Sequence, residues 1–285
     1  MDKVLPHVRR RQVFSLLVEH GPLSMRGLMA CLEPSIQRKR LYEVLQRLRK
    51  SRLVTQRLYL GLGKSAFFYD ITKEPKLMDM VSRVIGSDIA KARRPHFRRI
   101  EMIHSENCAI WKEVFKRLFP EARIIREHEF YGNREVSQLL LSQGDDRETD
   151  PDLLLIFKSK VDDGPVSVAI EIERTPKSRV RLIRKLRKYA RQTRLDGVIY
   201  ICEETALSER LRGVYNSWVL NDALRVKHYG NNFILFTDGV FNPAQGEPMM
   251  FNAALENVSL TAWMHQLKHT ATSSRRDLKF RSPGM

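Results

Sequence analysis

The sequence predicts an α/β protein of two domains, an amino-terminal winged helix-turn-helix followed by a three-layer α/β domain with a mixed sheet. Three observations lead there. Helical spacing over residues 8–50 gives way to two β-rich runs, 53–60 and 66–71, around a glycine-containing turn. Leu153–Phe157 and Val166–Ile172 are almost wholly apolar in the sense expected of buried strands. After residue 173, strongly basic helical stretches alternate with short apolar strands.

The first helix spans 8–20 and is stopped by Gly21-Pro22. A second opens on Ser24 as N-cap and runs to Leu32. The third covers 36–50, with Leu41, Val44, Leu45 and Leu48 as its apolar stripe and Arg38, Lys39, Arg40, Arg47, Arg49 and Lys50 outside it. Three helices and a hairpin define the winged arrangement, whose third helix enters the major groove. Ser35, Gln37, Arg38 and Arg40 then stand where base contacts are made, and Lys64 at the wing tip meets phosphate. Gly61-Leu-Gly-Lys-Ser65 is not a phosphate-binding P-loop. Leu58 occupies the position of the leading glycine, and a strand follows where the motif needs a helix.

This domain takes residues 1–72. A charged linker with a helix over 76–91 fills 73–99, the second domain covers 100–269, and a basic, disordered tail covers 270–285. In the second domain the order from residue 100 is α-β-β-β-α-β-α-β. Its helices are placed at 100–118, 176–194 and 205–220, and its strands at 122–130, 153–157, 166–173, 197–202 and 233–237. Thr175 and Pro176 are the expected cap and first residue of the helix over 176–194, and a further helix covers 260–269.

The chain of 285 residues has 50 Lys and Arg against 33 Asp and Glu, a formal charge of +17. That excess points to a polyanionic partner. No apolar run approaches the roughly 20 residues that span a bilayer, so membrane insertion is not expected. Cys31, Cys108 and Cys202 are isolated and read as buried thiols of a cytoplasmic protein.

The chemistry concentrates at Asp152, Glu171 and Glu173. Residues two apart on a strand share a face, so Glu171 and Glu173 point the same way, and a neighbouring strand starting at Asp152 brings a third carboxylate beside them. Three acids inside an apolar sheet repel one another and are costly to desolvate unless a divalent cation joins them. Oxygen ligands fit Mg²⁺ or Mn²⁺. In so basic a chain the substrate of such a cation is a phosphodiester.

Pro151-Asp152 followed by Glu171-Ile-Glu173 on the next strand resembles the PD-(D/E)xK core of the restriction-endonuclease fold, with Glu173 where lysine normally stands. With the winged helix in front, the whole is similar to the plasmid replication-relaxation proteins, and more specifically to MobC-type relaxases of mobilizable plasmids. The resemblance implies a metal-dependent endonuclease that nicks DNA at an origin of transfer. Asp152, Glu171 and Glu173 would be its metal ligands. It implies plasmid DNA as partner, duplex and single-stranded, with an accessory mobilization protein and a coupling protein. Some members of the wider fold supply the lysine from the following helix. Lys185, Tyr189 and Gln192 recur there at helical spacing, with Lys185 the substitute. Arg184 and Lys188 on that helix contact phosphate, and Glu106 on the helix over 100–118 is a further supporting carboxylate. The alternative is a DNA-binding replication or transcription regulator whose nuclease-like domain is inactive, a reading that the Glu173 departure keeps open.

The eight histidines provide no pair flanking an apolar strand residue, so Tyr189 is not favoured as a covalent nucleophile. His265 and His269 have the spacing of a zinc helix but lack the adjacent glutamate of a zinc protease.

Overall fold

The structure is a computed structural model and describes residues 6–32, 36–61, 64–87, 101–130, 136, 150–161, 164–191, 195–220, 234–237, 248–252 and 254–269. It is mixed α/β and divides into two compact units, Met1–Val114 and Phe115–Met285.

The first unit contains α1 (Pro6–His20), β1 (Leu23–Ser24), α2 (Met25–Cys31), α3 (Arg38–Lys50), β2 (Val54–Gly61), β3 (Lys64–Ile71) and α4 (Pro75–Ile85). The boundary between the units falls inside α5 (Met102–Leu118). Its antiparallel sheet has the order β1-β3-β2. The helices form where expected, and their ends have visible causes. Gly21 takes a left-handed φ of 77° and its N–H returns to Leu17 O at 3.2 Å, closing α1. Ser24 caps α2, its hydroxyl accepting from Gly27 N at 3.3 Å. The helix expected over 76–91 ends at Ile85, because Gly86 adopts the left-handed C-cap at φ 76°. Val13, Phe14 and Leu17 of α1, Leu41 and Leu45 of α3, and Ile71 of β3 are fully buried and form the core.

The second unit carries β4 (Arg123–Arg126), α6 (Glu127–Phe130), β5 (Leu153–Lys158), β6 (Pro165–Glu173), α7 (Arg179–Arg191), β7 (Gly197–Cys202), α8 (Thr205–Leu220), β8 (Ile234–Thr237), β9 (Met249–Phe251), β10 (Asn257–Ser259) and α9 (Leu260–His269). Its seven-stranded sheet runs β10-β9-β8-β7-β6-β5-β4. β6, β7 and β8 are mutually parallel, whereas β4–β5, β5–β6, β8–β9 and β9–β10 are antiparallel, so the sheet is mixed. One face, carrying Leu154, Ala169, Val198, Tyr200 and Phe236, shares a core with Leu182, Leu186 and Tyr189 of α7 and Leu207, Leu211 and Tyr215 of α8. On the other, Phe157 meets Phe119 edge-on at 5.6 Å between centroids, and Trp263 of α9 lies over Gly197.

Two further boundaries differ from the sequence reading. The strand expected over 122–130 stops at Arg126, whose N–H is taken by Glu129 Oε2 at 2.8 Å, while Glu127 N bonds Asp152 O at 3.2 Å; the short helix α6 follows. The helix expected over 176–194 begins at Arg179. Its cap is Ser178, not Thr175: the Ser178 hydroxyl accepts from Arg181 N at 3.3 Å and its carbonyl from Leu182 N at 3.1 Å. The expected tail over 270–285 lies outside the described residues.

Gly197 is glycine for want of space. A Cβ there would stand 2.5 Å from Trp263 Cη2, and an indole ring buried in a core cannot swing aside. Gly197→Ala is expected to destabilise the second unit by about 1–3 kcal/mol. A urea-unfolding midpoint equal to that of the parent would contradict this packing.

Candidate active site

The site grows out of β6. Ala169, Glu171 and Glu173 alternate with Ile170 and Ile172, and Ala169 lies in the core shared with α7 and α8, so both glutamates point under those helices. Glu171 is 1 % exposed and Glu173 3 %. Glu171 is in register with Tyr200 on the parallel strand β7.

α7 supplies the partners. Lys185 and Tyr189 are one helical turn apart on its buried face, with Leu182 and Leu186. The Lys185 ammonium donates to Glu171 Oε2, and the Tyr189 hydroxyl donates to Glu171 Oε1. Both oxygens of the carboxyl group are thus held by neighbours from one helix. Glu173 has a different partner. Lys177 Nζ lies 2.6 Å from Glu173 Oε2, but off the hydrogen-bonding direction, leaving that buried oxygen without a hydrogen bond among the described residues. The Tyr200 hydroxyl is also buried without a hydrogen-bond partner among them.

Asp152 stands just before β5, next to the Leu153–Ile170 pair, and its Oδ2 accepts from Ile172 N at 2.6 Å. It therefore borders both glutamates. Even so, Asp152, Glu171 and Glu173 do not bring one oxygen each to within 4.8 Å of the other two. The donor set, carboxylate oxygens with one of them lacking a hydrogen bond, suits a hard divalent cation chemically. The place beside Glu171 Oε2 belongs to the Lys185 ammonium, which any cation on that oxygen has to displace.

Burial pushes the Glu171 carboxyl up to about 8; the Lys185 ammonium opposes that shift and the Asp152 carboxylate adds to it. For Lys185, burial favours the neutral amine, but Glu171, Asp152 and Glu173 outweigh it and raise the ammonium. Tyr200 is also raised well above the usual phenol value, chiefly by burial and then by the two glutamates. A carboxyl raised on folding binds its proton more tightly in the native state than in the unfolded chain. Its stabilising contribution is then complete below its ordinary value of 4.5 and is lost as pH rises to about 8. Stability measured by urea unfolding is expected to fall across this window, by at most about 1.4 kcal/mol per pH unit. The slope should flatten in Glu171→Gln; an equal slope in both proteins would assign it to other groups.

The remaining expected site residues are more scattered. Gln192 and Ser35 lie outside the described residues. Lys64 begins β3 opposite Gly61, and its side chain lies outside the described part. Gln37 is the N-cap residue of α3 without a side-chain capping bond, and Gln37, Arg38 and Arg40 are exposed. Arg184 is exposed on α7, while Lys188 Nζ reaches Asp150 Oδ1 at 3.4 Å. Glu106 belongs to the first unit. Its Oε1 accepts from Ser24 N at 2.7 Å and its Oε2 lies 3.6 Å from Arg26 Nε. Gly27 makes room for it, since a Cβ there would stand 2.4 Å from Glu106 Oε1. Glu106 thus braces the start of α2. Also in the first unit, Glu19, His20 and Glu113 each bring a ligand atom within 4.8 Å of the others, but Lys112 Nζ already lies 3.2 Å from Glu19.

Sequence reasoning missed Tyr200 and the pairing of Lys177 with Glu173. A tyrosine within an otherwise aliphatic strand, and a lysine four residues after an acid, were the available signals. The three cysteines are buried thiols, as expected. Among the described residues, no helix is long and apolar enough to cross a membrane. No family model, no curated protein and no solved structure matches the chain.

Proposed function

We propose that the protein is a metal-dependent DNA endonuclease, a relaxase that nicks plasmid DNA at an origin of transfer. The observation that carries this reading is Glu171: a fully buried carboxyl flanked by Asp152 and Glu173 and held by a lysine and a tyrosine from the next helix. Buried acids with strongly shifted protonation cluster at functional sites. Lys185, on the helix after the acidic strand and bonded to Glu171, supports the reading that α7 supplies the lysine that Glu173 replaces. The order of unit 1, three helices and an antiparallel hairpin, supports a winged helix-turn-helix, and the β-α-β-β-α-β order from β4 to β7 in unit 2 supports a restriction-endonuclease-like domain. A charge of +17 supports DNA as the partner.

Asp152, Glu171 and Glu173 would hold Mg²⁺ or Mn²⁺ only once their oxygens draw together and Lys185 leaves Glu171; the ion would then lower the pKa of water and neutralise charge on the phosphate. Hydrolysis adds the water oxygen to phosphorus, breaks one phosphorus–oxygen ester bond, and returns a proton to the leaving sugar oxygen. Tyr189 fixes the direction in which Glu171 presents its second oxygen. Lys185, released from Glu171, places a positive charge beside the phosphate as its negative charge grows. Arg184 and Lys188 on α7, with Gln37, Arg38 and Arg40 on α3, hold the DNA backbone and bases.

One observation favours a second reading, a DNA-binding regulator with an inactive nuclease-like unit. Both oxygens of Glu171 are already engaged, one of them by an ammonium. The deciding experiment incubates the full chain with supercoiled plasmid carrying the origin of transfer from its own replicon, with Mn²⁺ or with EDTA. Conversion to open circle with Mn²⁺ alone supports the nuclease; specific binding without conversion in either condition supports the regulator.

A further inference from the structure

The surface of unit 1 combines positive charge with exposed aromatic rings. A groove of about 660 Å³ runs between the amino-terminal ends of α2 and α3 and strand β3, lined by Arg26, Arg38, Lys39, Tyr42, Phe67 and Tyr69. None of its described lining residues is acidic. A second groove of about 490 Å³ takes Arg49 and Arg52 on its wall and shares Phe67 with the first. Phe67 therefore borders both grooves, the second of which carries the acidic Glu74 beside its two arginines. It is 52 % exposed, and Tyr42 across the first groove is 51 % exposed. Leu58, the cross-strand partner of Phe67, is 43 % exposed and widens the same apolar patch.

A duplex does not need this arrangement. Its grooves present phosphates and base edges, while the faces of its bases are stacked on one another. A ring half open to water gains from a base face only where that base is unpaired, and rows of cations beside aromatic platforms are the recurring solution for single strands. We propose that this groove binds single-stranded DNA, one unpaired base stacking on Phe67 and Tyr42 while Arg26, Arg38, Lys39, Arg49 and Arg52 hold the flanking phosphates. Arg26 is 60 % exposed, with its guanidinium held by Asn107 Oδ1 at 2.5 Å and by Glu106 Oε2 at 3.6 Å, which fixes its direction. The inference rests on DNA being the partner, and goes beyond it by assigning unit 1 a site for melted strand in addition to duplex.

The test measures binding of the full chain to a labelled 20-nucleotide oligothymidylate and to a 20-base-pair duplex, by fluorescence anisotropy over a series of salt concentrations. Phe67→Ala is expected to weaken the single strand about tenfold and the duplex by less than about twofold. The salt slope should stay unchanged, because no charge is lost. Phe67→Trp should retain the single-strand affinity, which separates stacking from misfolding. Arg38→Ala with Lys39→Ala is expected to flatten the salt slope. Equal losses on both DNAs, or no loss in Phe67→Ala, overturn the proposal. So does a change in oligomeric state of Phe67→Ala by sedimentation, which would make the patch a contact between copies. If the parent protein binds the duplex but not the single strand, this inference alone fails; if it binds neither, the DNA reading fails with it.

Discussion

Glu171→Gln is expected to lower Mn²⁺-dependent nicking at least about a hundredfold, the scale of losing one preorganised charge contact in a water-excluded site. Glutamine keeps the shape of the side chain: its oxygen can accept from Lys185, its amide N–H can donate to the Tyr189 hydroxyl, and Asp152 and Glu173 still face the Lys185 charge. What disappears is the negative charge, and with it one acceptor oxygen and the ability to hold a cation. Arg184→Ala serves as the control. Arg184 is exposed on the same helix, and its loss should weaken DNA binding with its salt dependence and leave the rate at saturating DNA nearly intact. Undiminished nicking by Glu171→Gln would remove Glu171 from the chemistry.

The second large effect concerns stability and is independent of any activity. Lys185 is 7 % exposed and pairs with a carboxyl that is 1 % exposed. Removing one member of a buried ion pair strands the other, at a cost of about 3–5 kcal/mol. Lys185→Met is expected to show that cost at pH 9, above the Glu171 value of about 8, and a smaller one at pH 6, where the carboxyl carries a proton. Adding Glu171→Gln should recover most of the loss, a coupling that a double-mutant cycle reads directly. Additive losses at pH 9 would mean that the two side chains do not share their burial.

Much of this arrangement was legible in the residues. Glycine and serine ended and began helices where their backbone and hydroxyl chemistry dictates, as at Gly21 and Ser24. The apolar runs at 153–157 and 197–202 became β5 and β7 because aliphatic strands covered on both faces have no alternation to misread. The i, i+4 spacing of Lys185 and Tyr189 placed both on one face of α7, and that face met Glu171. Competition between neighbouring hydrogen bonds was not legible. Ser178 took the cap expected of Thr175, and Glu129 ended β4 early by accepting from Arg126 N. β9 and β10, three residues each, carry too little pattern to be seen. Glu106 shows the limit for site residues: a carboxylate on a helix reads the same whether it serves a cation or braces the backbone of Ser24.

Everything proposed for unit 2 turns on whether the carboxyl under α7 exchanges its lysine for a metal. Calorimetric titration of the full chain with Mn²⁺, in buffers of different protonation enthalpy between pH 6 and 9, measures that exchange. One equivalent bound, tighter as pH rises toward 8, with proton release at the lower pH and loss of binding in Glu171→Gln, is the expected result. No binding, or binding that Glu171→Gln leaves unchanged, would contradict it and leave a buried ion pair with a purely structural role.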